Sequence, residues 1–155
     1  MKARVIGWFS FLLVLSLTSI AASMADDAPS GNIAVAIKGL KNSQGVVRVA
    51  LFGSKETYNN DHDIGIGSFR KLAQPIEGNQ ATATFTGIPY GDYAIKVFHD
   101  EDNSGKFVTN AFGIPKVEYA FSNDARAMFG PPSFDKAKFK LDRADLSMEI
   151  KAQGK

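Results

Sequence analysis

The chain has 155 residues, no cysteine, 18 basic and 16 acidic side chains, and a formal net charge of +2. Without cysteine, disulfide stapling and a cysteine-linked lipid anchor are excluded, and the fold must rest on a packed core. Two basic residues, Lys2 and Arg4, lie in the opening segment; without them 18 − 2 = 16 basic residues balance 16 acidic ones, which leaves no charge argument for a nucleic-acid partner.

Lys2 and Arg4 precede an apolar run that reaches Leu17, and small residues then end in Ser23-Met24-Ala25. This reads as a cleaved secretory signal over residues 1–25, with the cut after Ala25. A membrane anchor needs about 20 unbroken apolar residues, whereas Ser10, Ser16, Thr18 and Ser19 interrupt this run. The mature chain is expected to carry no transmembrane segment and to be periplasmic or extracellular. Residues 26–155 fit one domain, large enough to bury roughly two-thirds of its unfolded surface.

From Gly31 the pattern has period two, which sends alternate side chains to opposite faces of a strand. Ile33, Val35 and Ile37 form the first apolar face, and Val47, Val49 and Leu51 of VVRVALF form the second, with Arg48 opposite. The turn Lys41 to Gly45 is read as joining the two in a hairpin. A polar loop follows, with one helical turn near Ser54–Tyr58 and a weak edge strand within Ile64–Leu72. In ATATFTGI, Ala81, Ala83 and Phe85 point inward and Thr82, Thr84 and Thr86 outward. Pro89 and Gly91 make a tight turn, and DYAIKVFH puts Tyr93, Ile95 and Val97 on the core face. Beyond it, Ser122 or Asn123 is expected to cap a helix through Ala125–Met128, ended by Gly130. AKFKL and LSMEI are the last strands. About seven antiparallel strands with turn signals between them predict an all-β sandwich, immunoglobulin-like or transthyretin-like, with one long aromatic-rich loop.

Asp100-Glu101-Asp102-Asn103-Ser104-Gly105-Lys106 matches the first half of a calcium loop, with oxygens at alternate positions and then a glycine. Asp100, Asp102, Ser104 and the Lys106 carbonyl are the candidate Ca²⁺ ligands, with Glu118 or Asp124 as distant supplements. Val108 and Ala111 stand where the second half needs oxygen donors, so such a site is incomplete, with an affinity of roughly 10⁻⁴–10⁻³ M. The alternative is a solvated bend in which the acids bond their own backbone.

His99 ends the strand on the core side, beside that bend. It reads as a hydrogen-bonded residue at the core rim, or else as a metal ligand or proton carrier next to Asp100. Asp61-His62-Asp63 sets the other histidine between acids.

Seven of the ten phenylalanines after residue 25 fall between Phe98 and Phe139. Rings in irregular chain either pin it or present themselves to a ligand. Phe112, Tyr119, Phe121, Phe129 and Phe134, edged by His99, Asn110, Asn123 and Arg126, form the candidate ligand-binding patch.

The stretch GIPYGDYAIKVFHDEDNSGKF, followed by TNAFGIPKVEYAFSNDARAMFGPPSFDKAKF, resembles a bacterial exported family known as domain of unknown function 2141. The most specific matches are His99-Asp100 with its acidic turn, Phe112-Gly113-Ile114-Pro115, Phe121-Ser122-Asn123 and Gly130-Pro131-Pro132-Ser133-Phe134. The family's turn commonly carries an acid shortly after the glycine, where this chain has Val108. The resemblance implies a small exported β domain and brings no activity, substrate or catalytic residue. The function expected is a soluble exported binding or structural module, its partner a small molecule or an envelope protein. The rivals are a hydrolase using His99 and Asp100, which lacks a Gly-x-Ser-x-Gly elbow and a cysteine nucleophile, and a purely structural envelope protein.

Overall fold

Apolar alternation decides which side chains enter the core, and in β1 (Ser30–Lys38) it runs unbroken: Ile33, Val35 and Ile37 are fully buried. A computed structural model describes residues 28–61 and 64–154. The expected signal over 1–25 and the pair His62 and Asp63 lie outside the described residues. The architecture is an all-β sandwich. Its first sheet has the order β4 (Ala81–Pro89), β1, β8 (Asp145–Lys151). Its second runs β3 (Arg70–Pro75), β2 (Val46–Phe52), β5 (Gly91–Asp100), β6 (Tyr119–Phe121), with β7 (Phe139–Leu141) paired to the start of β5.

Ile33, Val35, Phe85 and Ile150 from the first sheet meet Val47, Val49, Leu51, Ile95 and Val97 from the second. As the alternation in ATATFTGI predicts, Ala81, Ala83 and Phe85 are buried while Thr82, Thr84 and Thr86 are exposed. At the corner between β4 and β5 the Tyr93 hydroxyl donates to the Pro89 carbonyl at 2.8 Å, tying strand to turn across the change of sheet.

Several local expectations change. β1 and β2 are not a hairpin, because β1 pairs with β4 and β8 while β2 pairs with β3 and β5. The intervening segment is long enough to cross the roughly 10 Å between sheets, and Leu40 turns into the core on the way. Nor is every pairing antiparallel: β8 runs parallel to β1, with Ile33 opposite Leu146 and Ile37 opposite Ile150. The edge strand expected within 64–72 forms as β3, starting at Arg70 and running on to Pro75. No helix forms over 125–128. Asn123 and Asp124 take φ of 60° and 47°, which stops a single 3₁₀ turn (Ser122–Asp124) from propagating. The Ser122 hydroxyl is already spent, accepting from the Ile95 N–H at 2.9 Å and donating to the Ala137 carbonyl at 2.5 Å. The helical turn near Ser54 does form, as α1 (Lys55–Asn59), with the Ser54 Oγ accepting from the Thr57 N–H at 3.2 Å.

The largest difference lies on the outer face of the second sheet. The alternation in β5 puts Tyr93, Ile95 and Val97 on the core face, yet every residue from Tyr93 to Asp100 is buried. The reason is a third layer: Tyr58 of α1, with Phe134 and Ala137 of α2 (Phe134–Ala137), covers Ala50, Phe52, Ala94 and Phe121. Tyr58 meets Phe52 and Phe134 edge-on at ring separations of 5.4 and 5.7 Å, contacts worth about 0.5–1.5 kcal/mol each.

Gly45 lets the crossover settle on the end of β5. Its φ is +66°, and a Cβ there would stand 2.0 Å from the Asp100 carbonyl oxygen. Gly45→Ala is expected to cost more than about 2 kcal/mol in urea denaturation, since strain and collision add. Gly78→Ala, at φ +57° with nothing within 4 Å of the new carbon, should cost about 1 kcal/mol from strain alone.

Candidate functional site

Consecutive residues of a strand face opposite ways, so β5 carries two sets of chemistry. His99 belongs to the inner set with Val97, and Lys96, Phe98 and Asp100 to the outer. On the outer face Lys96 is buried, and its ammonium donates to the Tyr58 carbonyl at 2.7 Å, the Asp61 carbonyl at 2.9 Å and Asp61 Oδ2 at 3.2 Å. Three acceptors use all three N–H bonds. The cation also lies 4.4 Å from the Tyr58 ring centroid and 5.2 Å from that of Phe52. Asp61 in turn accepts the backbone N–H groups of Gly65 and Ile66. Burial pushes the Lys96 ammonium below the ordinary lysine value, and the charge and hydrogen bond of Asp61 pull it part of the way back. Burial, aided by Asp61, drives the Tyr58 hydroxyl upward, so it stays protonated.

Beside this pair a cleft of about 510 Å³ opens. Its wall is built of buried or half-buried rings in edge contact, Phe107 with Tyr119 at 6.3 Å and Tyr119 with Phe121 at 5.8 Å, and Phe98 backs Phe107 at 5.7 Å from behind the lining. Its lip is different. Phe112, Met128 and Phe129 are 88%, 90% and 88% exposed. Phe112 stands on a built turn: the Asn110 carboxamide oxygen accepts from the N–H groups of Phe112 at 2.9 Å and Ile114 at 3.0 Å, and Asn110 and Ile114 bridge by backbone.

Of the residues singled out for a ligand patch, Phe112, Tyr119, Phe121 and Phe129 line this cleft. Phe134 instead packs edge-on against Tyr58 within the third layer. Asn110 shapes the lip from behind. Asn123 donates to the Ala137 and Lys138 carbonyls and so anchors α2. Arg126 is exposed and is not in the lining. His99 is fully buried on the other face of the sheet, so the edge expected from it is absent.

In the acidic bend the side-chain oxygens bond the bend's own backbone. Asp100 is buried; its Oδ2 accepts from Arg48 Nε at 2.5 Å and the Gly105 N–H at 2.8 Å, and its Oδ1 from the Ser104 N–H at 3.0 Å. Asp102 Oδ1 accepts from the same Ser104 N–H, and Ser104 Oγ from the Lys106 N–H. The guanidinium supplies the positive charge to Asp100. Burial alone would raise the Asp100 carboxyl, but the hydrogen bonds from Arg48 and the Gly105 N–H, with the charge of Arg48, hold it below the ordinary carboxylate value. Of the distant acids, Asp124 accepts the Lys151 N–H, while Glu118 turns to His99.

His99 is the hydrogen-bonded rim residue. Nδ1 lies 2.7 Å from Glu118 Oε2 and Nε2 2.6 Å from the Gln44 carbonyl, while backbone joins His99 N–H to the Glu118 carbonyl at 2.8 Å. Neither His99 nor Asp100 reaches solvent, and they have separate partners on opposite faces.

The family model described as an uncharacterized protein conserved in bacteria, DUF2141, matches residues 35–149. The chain belongs to this family. The match takes in both sheets from within β1 to within β8, together with the cleft and the His99 corner, so these are features of a family member's matched region. No curated protein matches the chain. Among solved structures it is similar to a "putative adhesin" from Bacteroides ovatus, at 15% identity and a TM-score of 0.37 over 83% of this chain. The likeness spans 46% of that structure's chain, under half its length. Among the described residues no helix is long and apolar enough to cross a membrane.

Two substitutions separate the charged pairs. Lys96→Met strands Asp61 in a buried site and should cost about 3 kcal/mol by chemical denaturation, somewhat eased by the N–H groups that Asp61 retains. Asp100 has a depressed folded-state pKa, so its stabilisation is complete above the unfolded value of about 4 and fades as pH falls through the folded value. Wild type and Asp100→Asn should therefore differ most in stability above about pH 5 and converge in stronger acid, as measured by urea melts across pH.

Proposed function

We propose that the protein is an exported binding module whose outer-face cleft holds a small apolar ligand. The single observation carrying this reading is the cluster of Phe112, Met128 and Phe129, almost wholly exposed around a cleft of about 510 Å³. Large exposed apolar side chains are ordinary when scattered; grouped round a concavity they mark a contact surface. The volume falls within the range of roughly 300–1,000 Å³ typical of small-molecule sites. Rings pinned edge to edge behind the lip keep the wall in shape before a ligand arrives, which lowers the ordering cost of binding. Export rests on the pattern of residues 1–25 and places the module in a periplasm or outside the cell.

A calcium role for the acidic bend is not part of this proposal, because Arg48 and the bend's own N–H groups occupy the Asp100 oxygens. A hydrolytic role for His99 and Asp100 is left aside on similar grounds, both being enclosed.

The test uses the uncharged fluorophore N-phenyl-1-naphthylamine. Saturable fluorescence enhancement is expected with the wild type and at least tenfold weaker binding with the Phe112→Ala, Phe129→Ala double variant. Its stability should stay within about 0.5 kcal/mol, as for other exposed positions. Absence of saturable binding, or equal binding by the double variant, would overturn the proposal.

A further inference from the structure

The His99 corner, away from the cleft, has a donor set that the rim reading does not use up. The Gln44 carbonyl can only accept, so Nε2 carries a hydrogen, and it is Nδ1 that faces the carboxylates. Metal-binding histidines are commonly arranged this way, with a backbone carbonyl on one nitrogen fixing the tautomer and a lone pair on the other. One ligand atom from each of His99, Glu101 and Glu118 lies within 4.8 Å of the other two.

A second observation points the same way. Glu118 is 2% exposed, and its Oε1 is buried without a hydrogen-bond partner among the described residues. The Lys41 ammonium stands 3.9 Å from it, an ion pair beyond hydrogen-bonding distance. An orphaned carboxylate oxygen is costly in such a place, and a cation held by both Glu118 oxygens beside Nδ1 would satisfy it. Glu101 is half-exposed and opens the corner to solvent. The Asn42 carboxamide donates to Glu101 Oε1 at 3.2 Å and orients it. Gly45 seats this turn against Asp100 and Glu101, so the Gln44 carbonyl and the Asn42 side chain arrive together.

We infer that His99 Nδ1, Glu118 and Glu101 form a binding site for a divalent transition ion, with zinc the best fit. One imidazole nitrogen and two carboxylates match a three-ligand zinc site whose fourth position faces water. Calcium is disfavoured because it wants 6–8 oxygen donors. Zinc holds ligand atoms about 2.0–2.2 Å from itself. Nδ1 and Oε2, now 2.7 Å apart, must part slightly, and Glu101 must close in. The proton shared between Nδ1 and Oε2 leaves to solvent as zinc enters, and Lys41 withdraws.

The experiment is calorimetric titration of the purified chain with Zn²⁺, and separately with Ca²⁺, joined to the visible spectrum of the Co²⁺ form. One equivalent of zinc is expected to bind with micromolar or tighter affinity, with an intense tetrahedral cobalt band and no heat from calcium. Glu101→Gln should weaken zinc at least tenfold and dim the band while melting as the wild type does, since that side chain is half-exposed. His99→Gln should abolish binding, and His62→Ala should leave it intact. No zinc heat, unchanged affinity in Glu101→Gln, loss in His62→Ala, or calcium binding in preference to zinc would each overturn the inference.

Discussion

The ammonium of Lys96, enclosed between a sheet and the chain that covers it, is the contact on which the outer half of the molecule depends. A buried charge is tolerated only when its hydrogen bonds are complete. Here completion comes from the Tyr58 and Asp61 carbonyls and the Asp61 side chain, all belonging to the segment after β2. The pair therefore fastens α1 and the following turn to the middle of β5. With that layer fixed, Tyr58 can receive Phe134, and α2 can close over Ala94 and Phe121. The aromatic cleft borders this layer and inherits its rigidity.

The inner architecture is legible in the sequence because each inner strand carries its own signal. Ile33, Val35 and Ile37, or Ala81, Ala83 and Phe85, announce one buried face without reference to any partner. Partnership itself is not written locally: the residues between β1 and β2 suit a hairpin as well as a crossover, and only the pairing of β1 with β4 and β8 decides. The outer layer is harder to read. Lys96 and Asp61 look like surface charges when met singly, and Arg48 looks like the polar side of a half-buried strand. Phe98, on the same side as Lys96, is the residue that hints at a covered second face. Within the cleft, four of the five aromatic residues chosen from composition do line it; Phe134 does not, because composition cannot tell a ring that builds the covering layer from one beside it.

His99 and Asp100 show how one peptide step separates two chemistries. The odd-numbered side chain goes to the core rim, where Gln44 and Glu118 meet it, and the even-numbered one to the outer face, where Arg48 meets it. The acidic run after them looks like one feature in sequence, yet its members serve different structures. Asp100 and Asp102 close the bend, and Glu101 turns toward the histidine. Glu118, far along the chain, completes that corner, and its role is visible only after folding.

The pairing of β1 with β8 has a mechanical consequence. Because these strands run side by side in the same direction, from Asn32 beside Asp145 to Lys38 beside Lys151, traction on the two ends of the chain pulls them along their length in opposite senses. Their bridging hydrogen bonds are then loaded all together in shear, not peeled one after another. A module strung between two anchoring points would resist stretching at the seam where β1 and β8 meet.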